Sequence, residues 1–95
     1  MIKRVFDFYS DSGHGWCKVK KDLLKQLNIA DKITGYSYER GDYAYLEEDC
    51  DLSTFYNAYK IKFGVDIKFR EHISDHSYIR GYNHYEAWQR LKSML

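Results

Sequence analysis

Proline is missing from all 95 residues of this chain, and no low-complexity tract interrupts it, so no stretch reads as a linker. Cysteine is nearly as scarce. Cys17 and Cys50 are too few for a disulfide framework and are expected to be free thiols. No apolar run approaches the roughly 20 residues needed to cross a bilayer. Met1-Ile2-Lys3-Arg4 leads straight into a strand-like run with no apolar segment of signal-peptide type behind it, so the expected location is cytoplasmic, with no membrane contact. An excess of one charge is lacking too. The net charge of +1 creates no global field toward nucleic acid or membrane. Gly13-His14-Gly15 lacks the remainder of either glycine-rich phosphate-binding pattern, so no cofactor is expected.

What the chain does have is aromatic side chains. Ten tyrosines lift the aromatic fraction to 18%, while the mean hydropathy is −0.68. Tyrosine buries a ring and keeps its hydroxyl wet, and it is enriched at interfaces. The length allows one domain over residues 1–95, with no room for a second core. Charge is unevenly spread along it. Lys18, Lys20, Lys21 and Lys25 form a basic patch; Glu39, Asp42, Glu47, Glu48, Asp49 and Asp51 form an acidic one. Opposed patches suit orientation against a partner or a head-to-tail self-contact, so a homodimer stays open.

Periodicity predicts the elements. Val5-Phe6-Asp7-Phe8-Tyr9 reads as a strand, Ser10–Gly13 as a turn, and Trp16-Cys17-Lys18-Val19 as the returning strand. Leu23, Leu24 and Leu27 give Lys21–Leu27 a helical stripe, with Asn28 as the stop and Ile29 packing back. Thr34–Leu46 reads as a second hairpin in which Tyr36, Tyr38, Tyr43 and Tyr45 alternate with other residues and form a tyrosine ladder. Asp51 is placed to cap a helix over Leu52–Phe63, whose stripe is Leu52, Phe55, Tyr56, Tyr59 and Phe63 and whose stop is Gly64. Val65–Glu71 alternates as a strand, and Trp88, Leu91 and Leu95 suggest a short C-terminal helix. The reading is α+β: a mainly antiparallel sheet in ββαββαβ order, with helices packed on one face. The expected core is Val5, Phe8, Val19, Leu23, Leu24, Leu27, Ile33, Leu46, Leu52, Phe55, Tyr59, Ile67, Phe69, Trp88 and Leu91.

No constellation reads as a catalytic site or a metal site. His14 and Cys17 are spaced H-x2-C, and His72 and His76 are spaced H-x3-H, but the second pair straddles a strand end and a loop, where the helical i, i+4 geometry is lost. Cys17 on a strand is expected to be a buried thiol, with His14 three residues away on the opposite face. Histidines could serve a nuclease as acid and base. Tyrosines on a sheet could stack single-stranded bases, but the neighbouring acids argue against nucleic acid by repelling phosphate. An acidic and aromatic surface instead suits a basic protein partner. The expected contact residues are Tyr36, Tyr38, Tyr43, Tyr45, Glu47, Glu48, Asp49, His14 and Trp16.

Several segments together resemble a family of short hypothetical proteins encoded by bacteriophages, prophages and plasmids. They are Ser12-Gly13-His14-Gly15-Trp16, Lys18-Val19, Leu27-Asn28-Ile29-Ala30-Asp31-Lys32-Ile33, Tyr36-Ser37-Tyr38 with Gly41-Asp42, Tyr45 through Asp51, and Lys68-Phe69-Arg70-Glu71. The resemblance carries no residue roles. It implies an intracellular, mobile-element context and an accessory protein that binds a host protein, inhibition of a defence system being one such role. The partner expected from the charge pattern is a host protein with a basic patch.

Overall fold

The computed structural model describes residues 2–86, and the expected C-terminal helix, with Trp88 and Leu91, lies outside them. Alternating strand sequences build one mixed α+β sheet. Strands β1 (Val5–Ser10) and β2 (Gly15–Lys20) form a hairpin that runs directly into helix α1 (Lys21–Gln26). A single 3-10 turn at Ala30–Lys32 leads to a second hairpin, β3 (Tyr38–Arg40) and β4 (Tyr43–Glu47). Helix α2 (Leu52–Phe63) then precedes β5 (Lys68–Ile73), a second 3-10 turn at Tyr78–Gly81, and the short β6 (Asn83–His84). The spatial order is β5-β1-β2-β4-β3-β6. Among the described residues only β1 and β5 pair in parallel, and the other pairings are antiparallel.

Strand register sorts the side chains onto two faces. Phe8 pairs with Cys17, Cys17 with Leu46, and Val19 with Ala44, so these residues share one face with Phe6. They form a single core with Leu24 and Leu27 of α1 and Phe55 and Tyr59 of α2. The Phe6 ring meets Phe55 edge-on at 5.2 Å and Tyr59 at 5.4 Å. Each large side chain buried here contributes roughly 1.5–3 kcal/mol. The helices stop where left-handed residues allow it: α1 before Asn28 (φ 60°) and α2 at Gly64 (φ 68°).

The opposite face carries a second, smaller cluster of Trp16, Tyr45 and Ile79, flanked by half-buried Tyr9, Tyr38, Tyr43 and Tyr82. Ile79 arrives from segment 74–82, which crosses this face. Asp11 pins that segment. Its carboxylate accepts from Ser77 N and from the Arg80 guanidinium, and also from the amides of Gly13 and His14 in the β1–β2 turn. The Ser12–Trp16 motif is thereby explained. A Cβ on Gly15 would stand 2.4 Å from the Phe8 ring, and one on Gly13 would meet the Arg80 guanidinium at 2.9 Å. Both glycines serve close packing.

The structure corrects several expectations. Val5 and Phe69 are 43% and 39% exposed rather than core. Val5 lies an odd number of residues from Phe6 and Phe8 and faces away from them. Phe69 sits on β5, an edge strand whose six residues are all exposed. Tyr36 is not on the ladder, because β3 begins at Tyr38. Asp51 sits at the start of α2 but makes no side-chain capping bond. Strand β6 was not predicted. Among the described residues, no helix is long and apolar enough to cross a membrane.

Candidate functional site

Nine residues were expected to form one contact surface, and the structure divides them. Trp16 is 1% exposed and Tyr45 8%, both in the second cluster. Among the described residues the Trp16 Nε1–H has no hydrogen-bond partner; packing and the Arg80 guanidinium, 5.5 Å from the ring centroid, hold that ring. Glu47 is buried as well: its carboxylate accepts from Asp49 N at 2.9 Å and lies 3.5 Å from His14 Nδ1. Tyr43 is at the far end of β4 with Lys18 Nζ over its ring at 4.2 Å. Tyr38 stacks on His84 at 4.7 Å and meets Trp16 edge-on. Tyr36 is 70% exposed, and Glu48 and Asp49 are exposed in the turn after β4.

Tyr36, Glu48 and Asp49 belong to one corner because of Asp51. Its buried carboxylate accepts from the Thr34 amide, the Thr34 hydroxyl and the Ser37 hydroxyl. Ser37 Oγ accepts in turn from the Glu47 amide at 2.9 Å, and Thr34 Oγ1 accepts from the Tyr36 amide at 3.2 Å. This network ties the turn before β3 to the turn after β4. Buried polar groups fully satisfied in this way rigidify what they join. His14 flanks the corner through Glu47.

A second arrangement, not anticipated from the sequence, occupies the other half of this face. Tyr9, Tyr45 and Tyr82 are neighbours, with ring centroids 6.4 Å apart for Tyr9–Tyr45 and 5.1 Å for Tyr45–Tyr82. With Lys18, His72 and His76 they line a cleft of about 340 Å³. Burial, then the neighbouring Tyr82 and Tyr9, pushes the Tyr45 hydroxyl up to about 12. Burial and then Asp7 raise Tyr9 in the same direction. Tyr45 and Tyr9 therefore stay neutral hydroxyls that can donate. Asp7 lies beside the cleft, held by Arg70 Nε at 2.7 Å and His72 Nε2 at 2.9 Å, and these bonds keep its carboxyl far below the usual range. The signal for this site was the strand parity that puts Tyr9, Lys18, Tyr45 and His72 on one face.

Cysteine chemistry finds no support in the geometry. Cys17 is fully buried in the helix-side core, where desolvation pushes its thiol up to about 12, so it stays protonated at neutral pH. Cys50 is exposed, and its thiol is also raised, by desolvation and then by Glu47. Among the described residues, no three His, Cys, Asp or Glu side chains converge as metal ligands would. His72 and His76 share the cleft, whereas His14 is at Glu47 and His84 Nδ1 donates to Gly35 O. Compared with protein-family models, curated proteins and solved structures, the chain matches none.

Proposed function

We propose that this is a small accessory binding protein of a mobile element that docks on a host protein through the corner formed by Tyr36, Glu48 and Asp49 and flanked by His14. The observation that carries the reading is the Asp51 network. It gives up a helix cap to hold two turns together, and what those turns present is an exposed tyrosine beside two exposed acids. A patch held rigid before contact loses little entropy on binding. Glu48 and Asp49 steer toward a basic partner surface, so association weakens as salt rises. The mobile-element context rests on the resemblance of the sequence segments, and a defence-system inhibitor is one role within it.

The test is comparative recovery of partners from host lysate. Tagged wild-type protein should recover a protein that the Glu48→Lys/Asp49→Lys variant does not. The variant should keep its fold, since exposed substitutions change stability by less than about 0.5 kcal/mol. Binding should fall at least tenfold, about 1.4 kcal/mol. Unchanged affinity of a folded variant at low salt would place the contact elsewhere. Glu47 is not suitable for this test, because reversing a buried charge would disturb the fold itself.

A further inference from the structure

We infer that the cleft between Tyr9, Tyr45, Tyr82, Lys18, His72 and His76 binds a nucleotide: an aromatic base bearing a phosphate, either free or as one unit of a single strand. This site is separate from the acidic corner and does not depend on it. Four observations support it.

The first is unused donors. Among the described residues, the hydroxyls of Tyr9, Tyr45 and Tyr82 have no hydrogen-bond partner, and none is sealed from solvent. Three tyrosine hydroxyls lining one opening suit an oxyanion. The second is charge. Lys18 lines the cleft, and among the described residues no carboxylate does. The nearby acids are already engaged: Asp7 by Arg70 and His72, and Asp11 by Arg80. Glu39, which in sequence argued against phosphate, pairs with Ala44 on the helix-side face and binds Lys21 at 2.8 Å. Glu47 is buried. The third is an open ring. Tyr78 sits at the cleft and is 90% exposed, an aromatic face that no packing among the described residues accounts for. Bases stack on such faces whatever their identity. The fourth is size: about 340 Å³ falls at the lower end of the range for small-molecule sites, enough for one base and its phosphate.

Binding is tested by NMR titration of the full chain with four separate probes: adenosine 5′-monophosphate, adenosine, inorganic phosphate and an eight-nucleotide uridine RNA. The monophosphate should bind saturably and at least tenfold tighter than adenosine or phosphate alone. Its shifts should fall on Tyr9, Tyr45, Tyr78 and Tyr82, and affinity should drop with salt. Tyr78→Ala and Lys18→Gln should each weaken it tenfold or more. Thermal melts unchanged from wild type would show that both variants fold, and the exposed Tyr78 makes that the safer of the two. If the RNA binds at least tenfold tighter than the monophosphate, the strand is the ligand; if it binds no tighter, the free nucleotide is. Absence of saturable binding by both, or binding that survives both substitutions, would overturn the inference.

Discussion

Tyrosine does two different jobs on the two faces of this sheet. On the helix side its hydroxyl is a structural tie: Tyr59 donates to Lys3 O, Tyr85 to Ala30 O, and Tyr56 to Asp66. On the other face Tyr9, Tyr45 and Tyr82 pack their rings together and leave their hydroxyls without partners among the described residues. For the buried Tyr59 and Tyr85 the first arrangement is what stability alone favours, because a buried polar group is costly unless bonded. The second keeps donors available at a solvent opening, where stability gains nothing from them. A local departure of this kind is where binding sites are expected. The comparison teaches that aromatic content by itself says little. The division depends on whether each hydroxyl is bonded within the protein.

The contrast can be attacked from the helix side first, where the effect should be greatest. Phe55→Ala removes the ring between Phe6 and Tyr59 and should cost about 3–5 kcal/mol, enough to unfold both faces of so small a domain, as read by thermal or urea unfolding. A melt unchanged from wild type would contradict the shared core. Asp51→Ala should cost less, about 1–3 kcal/mol for the orphaned donors of Thr34 and Ser37. Amide hydrogen exchange should then speed up at Thr34, Tyr36 and Glu47, while β1 keeps its protection. The smallest effect should appear only in acid. The Arg80 guanidinium, and then the amides of Ser77, Gly13 and His14, hold the Asp11 carboxyl well below its ordinary value of 3.8. A carboxyl lowered by folding stabilises the folded state fully above that ordinary value, and the stabilisation is lost as pH falls through the folded-state value. Wild-type protein should therefore lose melting temperature as pH drops below about 4, and Asp11→Asn should show a shallower acid limb. Identical limbs would mean that Asp11 does not hold segment 74–82 across the tyrosine face.

Much of the helix-side face was legible in the residues. Phe55 and Tyr59 with Gly64, and Leu24 and Leu27 with Asn28, are local periodicity and local stops, which short-range chemistry decides. The hairpins were legible through alternation. Val5 and Phe69 were misplaced because hydrophobicity was read without following strand parity or edge position. Strand β6 is two residues long, too short for any period. Asp51 had the local signature of a cap, but its carboxylate reaches Thr34, seventeen residues back, a contact no window of sequence displays. The exposed acids Glu48 and Asp49 were visible as a cluster, whereas the burial of Glu47 between His14 and the Asp49 amide was not. The cleft was least legible of all. Its walls come from β1, β2, β4, β5 and the segment before β6, and the parallel pairing of β1 with β5 is what sets Tyr9 beside His72.

The central claim is that the two sets of tyrosine hydroxyls differ in kind, and paired Tyr→Phe variants test it most directly by equilibrium unfolding. Tyr59→Phe and Tyr85→Phe each remove a hydroxyl bonded to a backbone carbonyl and should each destabilise by about 0.5–1.5 kcal/mol. Tyr9→Phe, Tyr45→Phe and Tyr82→Phe, made together, remove hydroxyls with no partner and should leave the unfolding free energy unchanged within about 0.5 kcal/mol, or raise it. A triple variant destabilised as much as the helix-side variants would contradict the account, because its hydroxyls would then be structural ties like the others.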